Sequence, residues 1–553
     1  MLKTRNKLTF YDETTKIWKG VEEPCPFDPN QSLGKLILNS LAKTPSKITQ
    51  ISADIGVEVT CAELRLQAIR IAQNLTKMGY RMDDVFTIVA NNGPLVAPVV
   101  FACFALGIPF NSLDPKFTRT DFAHMLGLVQ PKVLFCDRET LDELLEALKM
   151  VELKPLIVLF GDRVQGFVHA EDLTKPTGVE ESFEPTPIED PSNHLAAIVC
   201  SSGTTGPSKG VCLSHSTCIA NLGIFYECFP EDIVLSFSSL YWISGLGFLI
   251  LATLTGATRV ITRENFTSDL ALELFEKYCV SLCFIQPEFL IHIFRNPRTA
   301  STDLSHLRMC PTGGALVTED MRNCFRRFIP KAELMVCYGF SEAGRAMFHT
   351  KGNYHRGNSA GYLMSNCLAK IIDDDGNALD IGQRGELVVK PKYAFMGYYK
   401  NEKATTELRD SDGWLHSGDI AWIDEDGFLH IADRKKSIFR FRGIHIYPNE
   451  LELVIRSVPG VVSVVVAGIT VDGTDLPAAL VMKAEGDELD ANQIHQKMKA
   501  VLPDYKLLHG GVYFVDSLPM TPNGKLARNE CRLILNTLYH EKKEEKLKTP
   551  NKK

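Results

Sequence analysis

His194-Leu195-Ala196-Ala197-Ile198-Val199-Cys200-Ser201-Ser202-Gly203-Thr204-Thr205-Gly206-Pro207-Ser208-Lys209 starts as an apolar run and finishes as a loop of hydroxyls, glycines and one cation. His194 to Cys200 reads as a buried strand, continuously apolar rather than alternating. The next six residues, Ser201 to Gly206, carry four hydroxyls and two glycines. Glycines let a backbone approach a polyanion and take positive φ, while hydroxyls and amide N–H groups donate to phosphate oxygens. Lys209 adds a point charge. The ordinary nucleotide fingerprint Gly-x-x-x-x-Gly-Lys-[Ser/Thr] is not met, because Gly210 follows Lys209. Taken alone, the segment fits either a phosphate grip or a flexible Ser/Gly surface loop.

Val85 to Ala90, Lys132 to Cys136, Pro155 to Phe160, Arg259 to Thr262 and Leu334 to Cys337 are similar apolar runs, spaced by helical patterns. This alternation predicts an α/β fold whose large N-terminal domain has stacked, mostly parallel sheets with covering helices. A chain of 553 residues is too long for one core. Asp412-Gly413 and Asp426-Gly427 are turn signals between short strands, and the texture then changes. Leu451, Val454, Ile455 and Val458 mark one face of a helix that Pro459-Gly460 ends, and Val461 to Ile469 follows as a β-branched strand. A smaller C-terminal α+β domain joined by a hinge is therefore expected. The division places the large domain at 1–432, a small mobile domain at 433–540 and a solvated, lysine-rich tail at 541–553. Leu95 to Phe110 is too short to cross a bilayer, which needs ~20 residues, and reads as a core helix. Glu180 to Asn193, acidic with three prolines, reads as a surface connection.

A net charge of −7 gives no reason to expect nucleic acid as a partner. The 15 cysteines are odd in number and contain no Cys-x-x-Cys pair, which favours buried reduced thiols in an intracellular protein over disulfides or zinc. No secretory leader is read at the N-terminus, and the C-terminus is not Ser-Lys-Leu, so cytoplasm or peroxisomal matrix is expected.

Further motifs follow in order: Thr312-Gly313-Gly314-Ala315, a tight turn; Cys337-Tyr338-Gly339-Phe340-Ser341-Glu342, at a strand's end; Gly413-Trp414-Leu415-His416-Ser417-Gly418-Asp419; Asp433-Arg434-Lys435-Lys436; Arg442-Gly443-Ile444-His445-Ile446-Tyr447-Pro448-Asn449-Glu450; and Pro519-Met520-Thr521-Pro522-Asn523-Gly524-Lys525-Leu526. With the Ser201–Lys209 loop, this series resembles the adenylate-forming superfamily along nearly the whole chain. The branch it looks like holds acyl-CoA synthetases, firefly luciferases and 4-coumarate-CoA ligases. Ser208 stands where the family usually has proline, a departure that touches loop stiffness more than chemistry.

The resemblance implies the following roles. Ser201, Ser202, Gly203, Thr204, Thr205, Gly206 and Lys209 hold phosphates. Gly314 and Ala315 lie on the adenine side with Gly339 and Phe340, and Tyr338 stacks on the base. Ser341 contacts the α-phosphate, and Glu342 holds Mg2+, for which a hard carboxylate oxygen is the preferred ligand. Asp419 accepts from the ribose hydroxyls, with Arg434 nearby. Lys525 is the catalytic cation of adenylation. Asp433 is the hinge, and Lys436, Arg440, Arg442 and Gly443 belong to the segment that swings in for thioester formation. The basic residues there fit coenzyme A phosphates and a solvated strand edge equally well. Gly313, Ala343 and Trp242 are expected to line the acyl pocket, although Trp242 also fits an ordinary core position.

The implied reaction consumes ATP with Mg2+, makes an acyl-adenylate and passes the acyl group to coenzyme A. Because attack of a carboxylate on the α-phosphorus joins two anions, the enzyme must supply positive charge and orientation. In Ser238 to Gly247, Trp242 takes the place of the family's histidine beside the substrate carboxylate, and Arg440 takes that of a lysine. Both changes count against luciferin oxidation and favour an acyl-CoA synthetase for a fatty or aromatic acid. A silent binding protein is the other alternative; intact Lys209, Glu342, Asp419, Arg434 and Lys525 argue against it. A monomer or weak dimer is expected.

Overall fold

The computed structural model describes residues 2–6, 8–201, 207–220, 227–350, 357–471, 474–484, 486–520 and 526–548. Among these, two large sheets organise the N-terminal domain. In the eight-stranded sheet the order is Val168–His169, Leu156–Phe160, Val133–Asp137, Phe86–Val89, Phe110–Leu113, Leu195–Ser201, Lys209–Ser214 and Gly397–Tyr398. The first six are parallel and the last two antiparallel. The apolar runs read from the sequence are these parallel strands, buried on both faces.

The second sheet has sixteen strands among the described residues. Its parallel section runs Ile48–Ser52, Thr258–Ile261, Ile233–Ser236, Leu282–Phe284, Met309–Gly313 and Glu333–Phe340. Beyond Glu333–Phe340 the strands are antiparallel: Arg345–His349, Gly361–Leu363, Phe428–Arg434, Leu415–Ile423, Gly385–Pro391 and Cys367–Ile372. This half was not legible as a sheet beforehand. Both sheets change from parallel to antiparallel next to a predicted motif, at Ser201 and at Phe340, and the carboxyl ends of parallel strands are where α/β sheets present ligand sites.

Helices Leu33–Lys43, Cys61–Lys77, Val96–Leu106 and Ile243–Thr255 contribute to the main core. All 11 residues of Val96–Leu106 are buried, as expected of a helix apolar on every side. Pro98 falls in its first turn, where a missing N–H costs no hydrogen bond. Among the described residues no helix is long and apolar enough to cross a membrane.

The smaller C-terminal domain pairs Val461–Val471 with Thr474–Lys483 and then Gly511–Val515, packed by helices Pro448–Arg456, Ala491–Val501 and Arg528–Lys548. A short hairpin, Phe439–Phe441 with Ile444–Ile446, precedes them. Arg442 (φ +51°) and Gly443 (φ +78°) form its two-residue turn, the paired positive φ that a tight hairpin requires. The last helix continues through 541 to Lys548, in a stretch of lysine and glutamate, both good helix formers, with Glu541 to Lys543 exposed.

Candidate active site

Tyr338 and Glu342 lie four residues apart where the last parallel strand of the long sheet ends. From Ser341 to Ala343 the chain makes a single tight turn, closed by Gly344 at φ +69°. Tyr338 donates its hydroxyl to Asp419 Oδ2 at 2.5 Å, and Arg434 Nε meets Asp419 Oδ1 at 2.6 Å. Sheet register explains the second contact, since Asp419 and Arg434 are directly opposed on neighbouring strands. Asp419 is buried, with its own N–H donating to Ser417 Oγ, whereas Arg434 is half-exposed. Burial and the adjacent Asp419 carboxylate hold the Tyr338 hydroxyl well above its ordinary range, so it is a donor at every physiological pH.

On the other side of the same turn, Glu342 accepts from the Tyr398 hydroxyl at 2.6 Å through Oε1. The Lys209 ammonium sits over the Tyr398 ring, 4.8 Å from its centroid. Glu342 is almost wholly buried, and its Oε2 makes no hydrogen bond among the described residues. A carboxylate with one oxygen anchored and one spare suits a hard divalent cation. Ser201 is buried and pairs across the ladder with Lys209, so the two ends of the Ser201–Lys209 segment are held together. Ser202, Gly203, Thr204, Thr205 and Gly206 lie outside the described residues.

Gly313 ends the neighbouring strand and Gly314 follows it. A Cβ on Gly313 would meet the Cys337 carbonyl oxygen at 2.4 Å, and Gly314 has φ +91°. Gly314 and Ala315 are exposed, as is Gly339, while Ser341 and Phe340 are half-buried. Trp242 is half-buried at the start of Ile243–Thr255, edge-on to Tyr241 at 5.2 Å. Ala343 is fully buried in the main core, so its methyl is spent on packing here and offers no free surface to a ligand.

Asp433 and Arg434 are adjacent residues facing opposite ways. Asp433 Oδ2 accepts from the Asn449 N–H at 2.7 Å and its Oδ1 from the Arg434 N–H at 2.8 Å; burial pushes its carboxyl up to about 6. Asn449 Oδ1 accepts from Arg528, which also clasps Glu452 through two bonds of 2.7 and 2.9 Å. Lys435 pairs with Glu386 and Asp374. Arg384 lies over both Trp422, before Asp433 in the chain, and Tyr447, after it. Lys436 is exposed; Arg440 donates to His445 Nε2 at 2.8 Å, and Arg442 pairs with Asp504 at 2.8 Å. The hairpin's arginines therefore engage their own domain.

With this geometry in place, residues 38–399 match the family model described as AMP-binding enzyme, and residues 450–525 match that of the AMP-binding enzyme C-terminal domain. The chain belongs to the AMP-binding enzyme family. Its similarity to 4-coumarate–CoA ligase 1 of Arabidopsis thaliana is 27% identity over 541 residues, covering 93% of this chain and 94% of that one. Luciferin 4-monooxygenase of Photinus pyralis is 28% identical over 544 residues, covering 95% and 98%. Among solved structures, the luciferase-like enzyme from the nonluminescent Zophobas morio mealworm is 30% identical with a TM-score of 0.70, covering 75% of this chain and 98% of that one. ATP-bound MatB from Rhodopseudomonas palustris, at 24% identity and a TM-score of 0.82 over 92% of this chain and 99% of that one, shares the fold.

In this AMP-binding enzyme the structure groups Lys209 with Glu342 through Tyr398, and Tyr338 with Arg434 through Asp419; the chain from Tyr338 to Glu342 joins the two groups. Lys525 lies outside the described residues. Three participants were missed in the sequence: Tyr398, Asn449 and Arg528. Tyr398 sits in a two-residue strand that leaves the long sheet to join the other one, so no periodicity marks it. Asn449 was quoted within a motif, but nothing in its spacing pointed to Asp433.

Proposed function

We propose that the chain is an ATP-dependent, AMP-forming acyl-CoA synthetase acting on a fatty or aromatic acid. The observation that carries this reading is the convergence of a phosphate-side cation, a half-anchored carboxylate and a buried Asp419 on the end of one strand. Lys209 and the loop before it take the polyphosphate, and Asp419 with Arg434 takes the ribose. Glu342 holds Mg2+, which when bound neutralises phosphate charge. The acid's carboxylate attacks the α-phosphorus, the bond to the β-phosphate oxygen breaks, and pyrophosphate leaves. Lys525 supplies the charge that this crowding of anions needs; removing one such donor typically costs ~10²–10³ in rate. Rotation about Asp433 then carries Lys525 away and brings Lys436, Arg440 and Arg442 toward coenzyme A, whose thiol displaces AMP from the acyl group.

Aromatic acids gain support from the similarity to a 4-coumarate–CoA ligase. The test is pyrophosphate exchange and thioester formation across short, medium and long fatty acids and a set of aromatic acids. Lys525→Ala should lose most exchange while keeping ATP affinity; exchange at wild-type speed refutes its role. Absence of exchange with every acid points instead to the silent binding protein. Light on adding luciferin, ATP and O2 would favour the luciferase-type reading, which Trp242 and Arg440 oppose.

A further inference from the structure

Tyr398 touches two groups of opposite charge that do not touch each other. Its hydroxyl donates to Glu342 Oε1 at 2.6 Å, and its ring lies under the Lys209 ammonium at 4.8 Å. A lysine and a carboxylate sharing a neighbour ordinarily form an ion pair, yet Lys209 and Glu342 form none here. Each is satisfied by a different part of the same side chain: the carboxylate by an O–H donor, the ammonium by the negative π-face. Were the two to pair directly, neither would be fully available to a polyphosphate and its cation.

The backbone around Tyr398 is fixed from several sides. It pairs with Val211 on the strand that begins at Lys209, and the Tyr399 N–H donates to Gly210 O at 2.7 Å. Its own N–H donates to Thr405 Oγ1 at 2.9 Å. Gly397, at φ +138°, has Thr405 3.1 Å from where a Cβ would stand, so the strand enters by a path suited to glycine. The Phe395 N–H donates to the Glu342 carbonyl at 3.3 Å, and the Phe395 ring meets Tyr398 edge-on at 5.4 Å. One short segment thus grips Glu342 by backbone and side chain while joining it to the foot of the phosphate loop. Loosening such an outer partner of a metal ligand typically costs about 10–100-fold in metal affinity.

We propose that Tyr398 is a positioning residue of the nucleotide site, an assignment that rests on the adenylation reading above. Its hydroxyl aims the Glu342 carboxylate, leaving Oε2 for a divalent cation. Its ring keeps Lys209 from collapsing onto that carboxylate, so that both charges remain for the phosphates. It touches neither reacting atom.

The experiment is calorimetric titration of ATP into the full chain, in EDTA and across a series of Mg2+ concentrations, for wild type, Tyr398→Phe, Tyr398→Leu, Glu342→Gln and the double variant Tyr398→Phe/Glu342→Gln. Tyr398→Phe keeps the ring and loses the hydroxyl. It should raise the Mg2+ midpoint about 10- to 100-fold and leave ATP affinity in EDTA within about twofold. Tyr398→Leu should show the same Mg2+ shift and also bind ATP several-fold more weakly in EDTA. Adding Tyr398→Phe to Glu342→Gln should shift the midpoint no further. A wild-type midpoint in Tyr398→Phe beside a shifted one in Glu342→Gln overturns the role of Tyr398 alone. Equal weakening of ATP with and without Mg2+ overturns it too, by showing a packing role. An unshifted Glu342→Gln overturns the metal reading of Glu342, and the role of Tyr398 falls with it. If Tyr398→Leu does not fold, Tyr398→Phe decides.

Discussion

Replacing Arg528 with alanine should unfasten the small domain. The Arg528 side chain is 30% exposed, but the Glu452 carboxylate it clasps is only 3% exposed, so water cannot take its place. Truncation removes two charge-assisted hydrogen bonds to Glu452 and one bond to Asn449. What remains is a buried charge whose other contacts are the Val466 N–H and a longer ion pair with Arg456 at 3.6 Å. Breaking a buried pair from one side typically costs about 3–5 kcal/mol. For a domain of about 100 residues each kcal/mol moves the melting temperature by about 4–8 °C, so a fall of at least ~12 °C is expected. Differential scanning calorimetry of the full chain measures it. The double variant Arg528→Met/Glu452→Leu should recover most of the loss, because replacing both charges with apolar groups is often neutral. A melt of Arg528→Ala within ~3 °C of wild type would refute the reasoning, by showing that Glu452 finds solvent or moves onto Arg456.

Asp433 and His215 make opposite pH predictions. Burial raises Asp433 to about 6 from an ordinary 3.8, so its stabilisation is full below pH ~4 and lost as pH rises through 6, by about 3 kcal/mol at ~1.36 kcal/mol per pH unit. Asp433→Asn should remove that slope from urea midpoints taken between pH 4 and 8; an identical slope in both proteins refutes it. His215, buried beside His194 and accepting the Leu33 N–H on Nδ1, is pushed down to about 3. Its stabilisation is present above pH ~6.5 and is lost as pH falls toward 3, so His215→Asn should unfold at lower pH than wild type. Of the fifteen cysteines, all free, Cys279 and Cys324 are exposed. A thiol reagent should modify two groups rapidly in the native protein and all fifteen in denaturant; more than four fast thiols would contradict the packing.

Strands such as Val133–Asp137 and Leu195–Ser201 were legible because each is apolar on both faces. Leu415–Ile423 was harder, since its buried and half-buried residues alternate and Ser417-Gly418-Asp419 interrupts it with loop-like residues. Glu342, Asp419 and Arg434 could be picked out from short local motifs. Their mutual contacts could not, because the Asp419–Arg434 pair depends on sheet register and the Tyr338–Asp419 bond joins strands distant in sequence. Tyr398 and Arg528 act through tertiary contacts that leave no spacing to read. The helical form of residues 541–548 was not read, because charge was weighed without helix propensity.

Asp433 and Arg434 are neighbours in the chain with separate loyalties, one to the Asn449 amide of the small domain and the other to the Asp419 carboxylate of the large one. Any ligand that bids for Asp419 must contend with the Arg434 guanidinium already seated there. Under the proposed function, in which Asp419 takes the ribose and the small domain turns about Asp433, nucleotide occupancy is felt one peptide bond away from the pivot. On that reading the site and the joint need no relay between them, because a single dipeptide belongs to both.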